Sequence, residues 1–226
     1  NYLFNEHNFN VIAQHPTPEH LSYALFLLFQ VGLLTQDNFD LMVLNMRPAN
    51  LTCYAILEEA HLFTHDYFAS VALHKNPSDL AHALSQLEEV DLLTEDNLRI
   101  IVASSRPSKM VTYLLRLHQE SLLVFENCEM ILRHENPEDL AWALIYLQEF
   151  GILTPENRKA VAAHPCPDDM AKGLTQLKRS KLLNAENSRV IAKHKRPQDL
   201  AWSLAFLSDS GIFTPENRDM VAAHPH

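Results

Sequence analysis

Proline recurs on a fixed beat through this chain, at Pro18, Pro48, Pro77, Pro107, Pro137, Pro167 and Pro197, in steps of 30, 29, 30, 30, 30 and 30 residues. Self-similarity at a period of 20 to 50 residues marks an array in which each unit buries its apolar face only against its neighbours. The chain therefore reads as all-α, an α-solenoid of about seven and a half two-helix repeats with a right-handed superhelix expected. A half repeat at 1–17 precedes repeats 18–47, 48–76, 77–106, 107–136, 137–166, 167–196 and 197–226, which form a single array. Because the chain opens halfway through a unit, and without Met, it is read as a fragment of a longer protein.

Counting each proline as offset 0, apolar residues stand at offsets 3, 7 and 10, as in Leu140, Leu144 and Leu147 or Leu80, Leu84 and Leu87. That spacing defines one face of a helix, helix A. Proline suits its first position, behind an Asn such as Asn76 or Asn136 read as the N-cap, and Gly32, Gly151 and Gly211 read as its stop. A second helix, B, opens at Thr35, Thr64, Thr94, Thr154 or Thr214 as N-cap. An acid two residues later (Asp37, Asp66, Asp96, Glu156, Glu216) faces the positive end of the helix dipole.

Two recurring polar residues belong to this framework. Asn8, Asn38, Asn97, Asn127, Asn157, Asn187 and Asn217 fall three residues after the cap, and Tyr67 takes that place in one repeat. An amide both donates and accepts, so this row is expected to tie the turn between helices to adjoining backbone. Histidine closes helix B at His15, His74, His134, His164, His194 and His224. Packed helices lie 8 to 10 Å apart whereas zinc holds its nitrogens at about 2 Å, so helix capping is preferred to a metal site. No metal, cofactor or catalytic residue is assigned.

Several stretches carry a resemblance: Gly-Ile-Leu-Thr-Pro-Glu-Asn-Arg at 151–158, Gly-Ile-Phe-Thr-Pro-Glu-Asn-Arg at 211–218, and Pro-x-Asp-Leu-Ala at 77, 137 and 197. In these the chain resembles the tandem helical-hairpin repeats of secreted effector proteins of intracellular bacterial pathogens, which use type IV secretion. Tetratricopeptide arrays are similar in architecture but have longer units. The resemblance implies a helical interaction module delivered into the host cytoplasm, and a protein or peptide partner from the host. It implies no catalytic residues.

Function is then sought where repeats differ. At 100° per residue, offsets 5, 9 and 12 of helix A point away from the apolar face, while small residues at offsets 4 and 6 let neighbours approach. In the last three repeats the outward positions hold Trp142 and Tyr146, then Lys172, Gln176 and Arg179, then Trp202 and Phe206. These seven residues are the candidate partner-binding stripe, with the aromatics as anchors and the cations meeting a partner's acids. The competing reading is that the aromatics fill gaps between repeats.

Charge supports a protein partner over nucleic acid. Residues 1–105 carry three bases against thirteen acids, a net of −10, and residues 106–226 are balanced. An acidic half opposes phosphate backbones. Repeat 167–196 is the exception at +5, which keeps RNA or phosphoinositide contact as a lower alternative, beside a targeting or substrate-selection role within a larger effector enzyme. A monomer is expected. No apolar run reaches the length of a membrane span, and Cys53, Cys128 and Cys166 are too few for a disulfide framework, which suits a soluble protein in a reducing compartment. Two repeats break the pattern. Repeat 48–76 lacks one residue and its Gly, so Tyr54 or Tyr67 is expected to repack the junction and local curvature to change. In repeat 107–136, Val124 replaces the capping Thr and Ser121 the Gly.

Overall fold

The structure, a computed structural model, describes residues 5–45 and 51–224, the side chains of Leu51 and His65 excepted; Pro48 lies outside the described residues. Fifteen α-helices are present among them. They are α1 (Glu6–Gln14), α2 (Pro18–Gln30), α3 (Gln36–Asn45), α4 (Leu51–Glu59), α5 (His65–Leu73), α6 (Pro77–Glu88), α7 (Glu95–Ala103) and α8 (Pro107–Gln119). There follow α9 (Phe125–Arg133), α10 (Pro137–Glu149), α11 (Pro155–Ala163), α12 (Pro167–Arg179), α13 (Ala185–Ala192), α14 (Pro197–Asp209) and α15 (Pro215–Ala222). Each described proline of the beat is the first residue of an even-numbered helix, where its missing N–H costs nothing. Helices pack on their sequence neighbours and on the next but one. The chain divides within α8 into two compact units, 1–112 and 113–226. In the first, α2 packs on α4, α4 on α6 and α3 on α5; in the second, α10 packs on α12, α12 on α14, α11 on α13 and α13 on α15. This is the helical-repeat solenoid expected from the beat.

Offsets 3, 7 and 10 form the core. Leu80, Leu84, Leu87, Leu140, Leu144 and Leu147 are all fully buried, as are Ala81, Ala83, Ala141 and Ala143 at the small flanking positions. At Gly173 in α12 the approach is closer still. A Cβ there would lie 2.9 Å from the Pro197 carbonyl oxygen and 3.2 Å from Ile191 Cδ1, so the start of α14 rests on bare backbone.

All seven helices A end in one hydrogen-bonded turn. In the repeat of α10, Gly151 N–H donates to Gln148 O at 2.8 Å and Ile152 N–H to Leu147 O at 2.9 Å, the paired bonds of a Schellman motif. The motif needs a left-handed residue, which Gly32, Gly151 and Gly211 supply with φ of 74°, 60° and 68°. The other four repeats take up the same conformation without glycine, at His61, Asp91, Ser121 and Lys181, with φ between 55° and 59°. Loss of the glycine therefore does not alter the turn; it places a Cβ in a strained region.

The Asn row does what an amide at that position can do. Nδ2 of Asn38, Asn97, Asn157, Asn187 and Asn217 donates to the carbonyl five residues earlier at 2.8 Å, closing the turn between A and B. The caps hold as well: Thr94 and Thr154 accept from the N–H of Asn97 and Asn157 at 3.2 Å. Val124 makes no side-chain cap, and Asn127 N–H turns instead to the Val124 carbonyl at 3.0 Å.

One sequence reading is corrected and a second is extended. Asn76 and Asn136 stand at N-cap positions but make no capping bond. Their Nδ2 atoms reach the next repeat and donate to the carbonyls of Ser105 and Pro165 at 2.9 Å. His74, His134 and His164 are the C-caps of helix B, their backbone N–H groups donating to Val71 O, Ile131 O and Val161 O at 3.2 Å, but their rings reach past the helix end. Nδ1 meets the backbone N–H two residues on, at 3.0 Å for Asn76 and 2.9 Å for Asn136. Nε2–H then donates across repeats: His74 to Ser104 O, His134 to His164 O and His164 to His194 O, each at 3.1 Å. With Nδ1 accepting, the ring hydrogen that His74 and His134 donate is the one on Nε2. Each is a peg between equivalent points of successive repeats. Ser104, where a histidine is missing, keeps the local half of the arrangement by accepting from Arg106 N–H at 3.0 Å.

In the shortened repeat the core beside α4 is filled by rings. Tyr54 and Phe68 are fully buried, with centroids 5.5 Å apart, and Phe63 lies edge-on to Tyr54 at 6.1 Å. Tyr54 thus makes the repacked junction, while Tyr67 stays half-exposed. Burial pushes the Cys53 thiol beside it up to about 11 and raises the Tyr54 phenol.

Candidate functional site

The stripe falls in the second unit, and the structure sorts its seven residues into two groups. In α10 the i, i+4 spacing stacks Trp142 on Tyr146, with centroids 4.5 Å apart and ring planes at 19°. Phe150 extends the row, its centroid 4.7 Å from that of Tyr146. Phe150 is the helix C-cap, a position outside the three offsets singled out in the sequence.

The neighbouring helix α12 covers this row with its cations. Lys172 Nζ lies 5.3 Å from the Trp142 ring centroid, and the Arg179 guanidinium carbon 5.0 Å from that of Phe150. Lys178 Nζ donates to the Phe150 carbonyl. Lys172 is held in place one turn from its own acid, 3.0 Å from Asp168 Oδ2. Burial against the indole opposes its charge, but the hydrogen bond and charge of Asp168, with Asp169, outweigh that and raise its pKa. On the other side of the row, Glu149 is ion-paired with Arg116. Trp142 and Tyr146 are accordingly half-buried, and Gln176 is not outward-facing at all: it is 8% exposed and donates to Ser180 Oγ at 3.3 Å. Gap-filling between repeats describes Trp142, Tyr146 and Gln176.

Trp202 and Phe206 occupy the same two offsets in α14 and are 54% and 70% exposed. Ser203 between them is exposed too, although Ala143 and Gly173 at its offset are buried. Arg179 remains exposed at the end of α12. The exposed members of the stripe among the described residues are therefore Trp202, Phe206 and Arg179.

Sequence reasoning passed over two arginines. Arg218, 5% exposed, donates to Glu186 and Asp219 at 2.8 Å and reaches Asn187 Oδ1 of the preceding repeat at 3.5 Å. These hydrogen bonds pull the Glu186 and Asp219 carboxyls below the usual carboxylate range and raise the guanidinium further. Arg158 repeats the arrangement with Glu126 at 3.2 Å and Asn127 Oδ1 at 3.4 Å. The signal was available: both follow the framework Asn in the two octapeptides ending Glu-Asn-Arg. They bind repeat to repeat.

Among the described residues no three His, Cys, Asp or Glu side chains are grouped to hold a metal, and no helix is long and apolar enough to cross a membrane. Comparison with known proteins finds no family model that matches the chain and no curated protein significantly similar to it in sequence.

Proposed function

We infer that the chain is a non-catalytic protein-binding scaffold, the partner- or substrate-recruiting module of a bacterial effector acting in a host cell. One observation supports binding: Trp202 and Phe206 are two large rings on one helical face, 54% and 70% exposed among the described residues. Large rings at the centre of an interface supply most of its affinity, and solubility gives no reason for leaving two on one face. The effector setting rests on the resemblance of the Gly-Ile-Leu-Thr-Pro-Glu-Asn-Arg and Pro-x-Asp-Leu-Ala stretches alone. The test is affinity capture from host-cell lysate with the parent chain and with Trp202→Ala combined with Phe206→Ala. Loss of a captured protein at unchanged helicity is expected; capture that survives both substitutions overturns the reading.

A further inference from the structure

Counting each cap of helix B as 0, positions 5 and 9 lie one turn apart on the helix, and there the helices B of the second unit differ in charge. They hold Glu129 and Arg133 in α9, Lys159 and Ala163 in α11, Arg189 and Lys193 in α13, and Asp219 and Ala223 in α15. Both acids are occupied within the chain: Arg133 pairs with Glu129, and Arg218 Nε donates to Asp219 at 2.8 Å. Lys159, Arg189 and Lys193 are exposed and take part in no ion pair among the described residues. By contrast Lys172 and Arg196, in the same repeat as Arg189, pair with Asp168 and Asp199. Between α11 and α13 runs a groove of about 530 Å³ with a floor of small side chains, Ala160, Ala185, Ser188 and Ala192, and with Arg189 on one bank. The one acid among its lining residues is Glu156, hydrogen-bonded to Thr154 at the start of α11. Repeats stand on both sides of this groove in the sequence, so its openness does not depend on either end of the chain.

We propose that the groove between α11 and α13 takes an acidic helix of a partner protein, with carboxylates one turn apart on Arg189 and Lys193 and a third reaching Lys159. This rests on the scaffold reading and specifies the partner's chemistry. Two like charges at i and i+4 work against their own helix, and nothing in the chain relieves the Arg189–Lys193 pair. Carboxylates at the same spacing on a helix lying alongside would do so, and they set an acidic partner above a basic one. The floor of alanines and serine lets that helix come close and offers no pocket to a large side chain, so its seated face carries small residues. Nucleic acid fits less well, because neither α11 nor α13 carries a ring on which a base could stack.

The test titrates the full chain into a fluorescein-labelled, capped Ala-rich helical peptide of about 20 residues with glutamates at i and i+4, read by anisotropy. A second peptide carries glutamine in place of each glutamate. The glutamate peptide is expected to bind, and the glutamine peptide to bind on the order of 3- to 100-fold more weakly for three exposed ion pairs. Arg189→Glu combined with Lys193→Glu should remove the difference at unchanged helicity. Lys75→Glu combined with Arg106→Glu makes an equal change of charge at exposed sites in the first unit and should leave binding within about twofold. Equal binding of the two peptides, binding of neither, or an equal loss in both double variants overturns the inference. Tighter binding of a single-stranded RNA of the same net charge also overturns it, by assigning the face to phosphate. Self-association that Arg189→Glu with Lys193→Glu abolishes overturns it too, by assigning the face to the acidic half of a second copy. None of these results touches the scaffold reading, which the capture experiment at Trp202 and Phe206 decides independently.

Discussion

Replacing Gly173 by alanine sets two effects of opposite sign against each other. In an ordinary helix interior, glycine to alanine stabilises by about 1 kcal/mol through reduced backbone entropy. In α12 the new methyl carbon would sit 2.9 Å from the Pro197 carbonyl oxygen, 3.1 Å from its carbon and 3.2 Å from Ile191 Cδ1. Two of these atoms are backbone at the start of a helix, so α14 as a whole must move back. Overpacking of this kind costs about 1 to 3 kcal/mol. The balance is a net loss centred near 1 kcal/mol. Ser203→Ala at the same offset of α14, where the side chain is exposed, provides the comparison and should gain a few tenths of a kcal/mol. Urea unfolding followed by tryptophan fluorescence reads both, because Trp202 rides on the displaced helix. The two midpoints should move in opposite directions. A Gly173→Ala midpoint above that of the parent would refute the close approach and the packing argument built on it.

Lys181→Gly relieves a left-handed residue with φ of 59° and should raise the thermal midpoint, by about 0.5 to 1 kcal/mol in stability; no rise would mean the turn is less constrained than its Schellman bonds imply. Val124→Thr restores the missing cap of α9 and should add about 1 kcal/mol, checked by denaturant midpoint against Val124→Ala. The Glu186 carboxyl, lowered by its hydrogen bond to Arg218, contributes stability that is present above the ordinary glutamate value of 4.5 and is lost as pH falls below it towards the folded value. Glu186→Gln should therefore flatten the acid limb of a melting-temperature profile, and an unchanged limb would show that the ion pair adds nothing.

Sequence period alone located nearly every backbone feature, because proline, the capping threonines and the framework asparagines act on atoms within a few residues of themselves. Offsets failed where the partner atom belongs to the next repeat. Asn76 and Asn136 occupy a position that caps helices elsewhere, and only the carbonyls of Ser105 and Pro165 draw them away. Gln176 is outward on a helical wheel, yet buried. Trp142 and Trp202 share an offset and differ in exposure because α12 lays Lys172 and Arg179 over the α10 row. A helical wheel represents one helix, whereas these outcomes depend on the side chains of its neighbour. The four left-handed residues without glycine went unread for another reason: the packed turn holds a conformation that His61, Asp91, Ser121 and Lys181 disfavour individually.

The pegs between repeats almost all end on main-chain carbonyls, at Ser104, His164 and His194 for the histidines and at Ser105 and Pro165 for the asparagines. A donor that seeks a carbonyl accepts any residue type as its neighbour. Whole repeats can then be duplicated, lost or exchanged by recombination without matching substitutions next door, and the array can change length as a modular tape. Side chains that must change together across a junction are confined to the few pairs that meet directly, such as Arg158 with Glu126, Arg218 with Glu186, and Ser108 with Asp79.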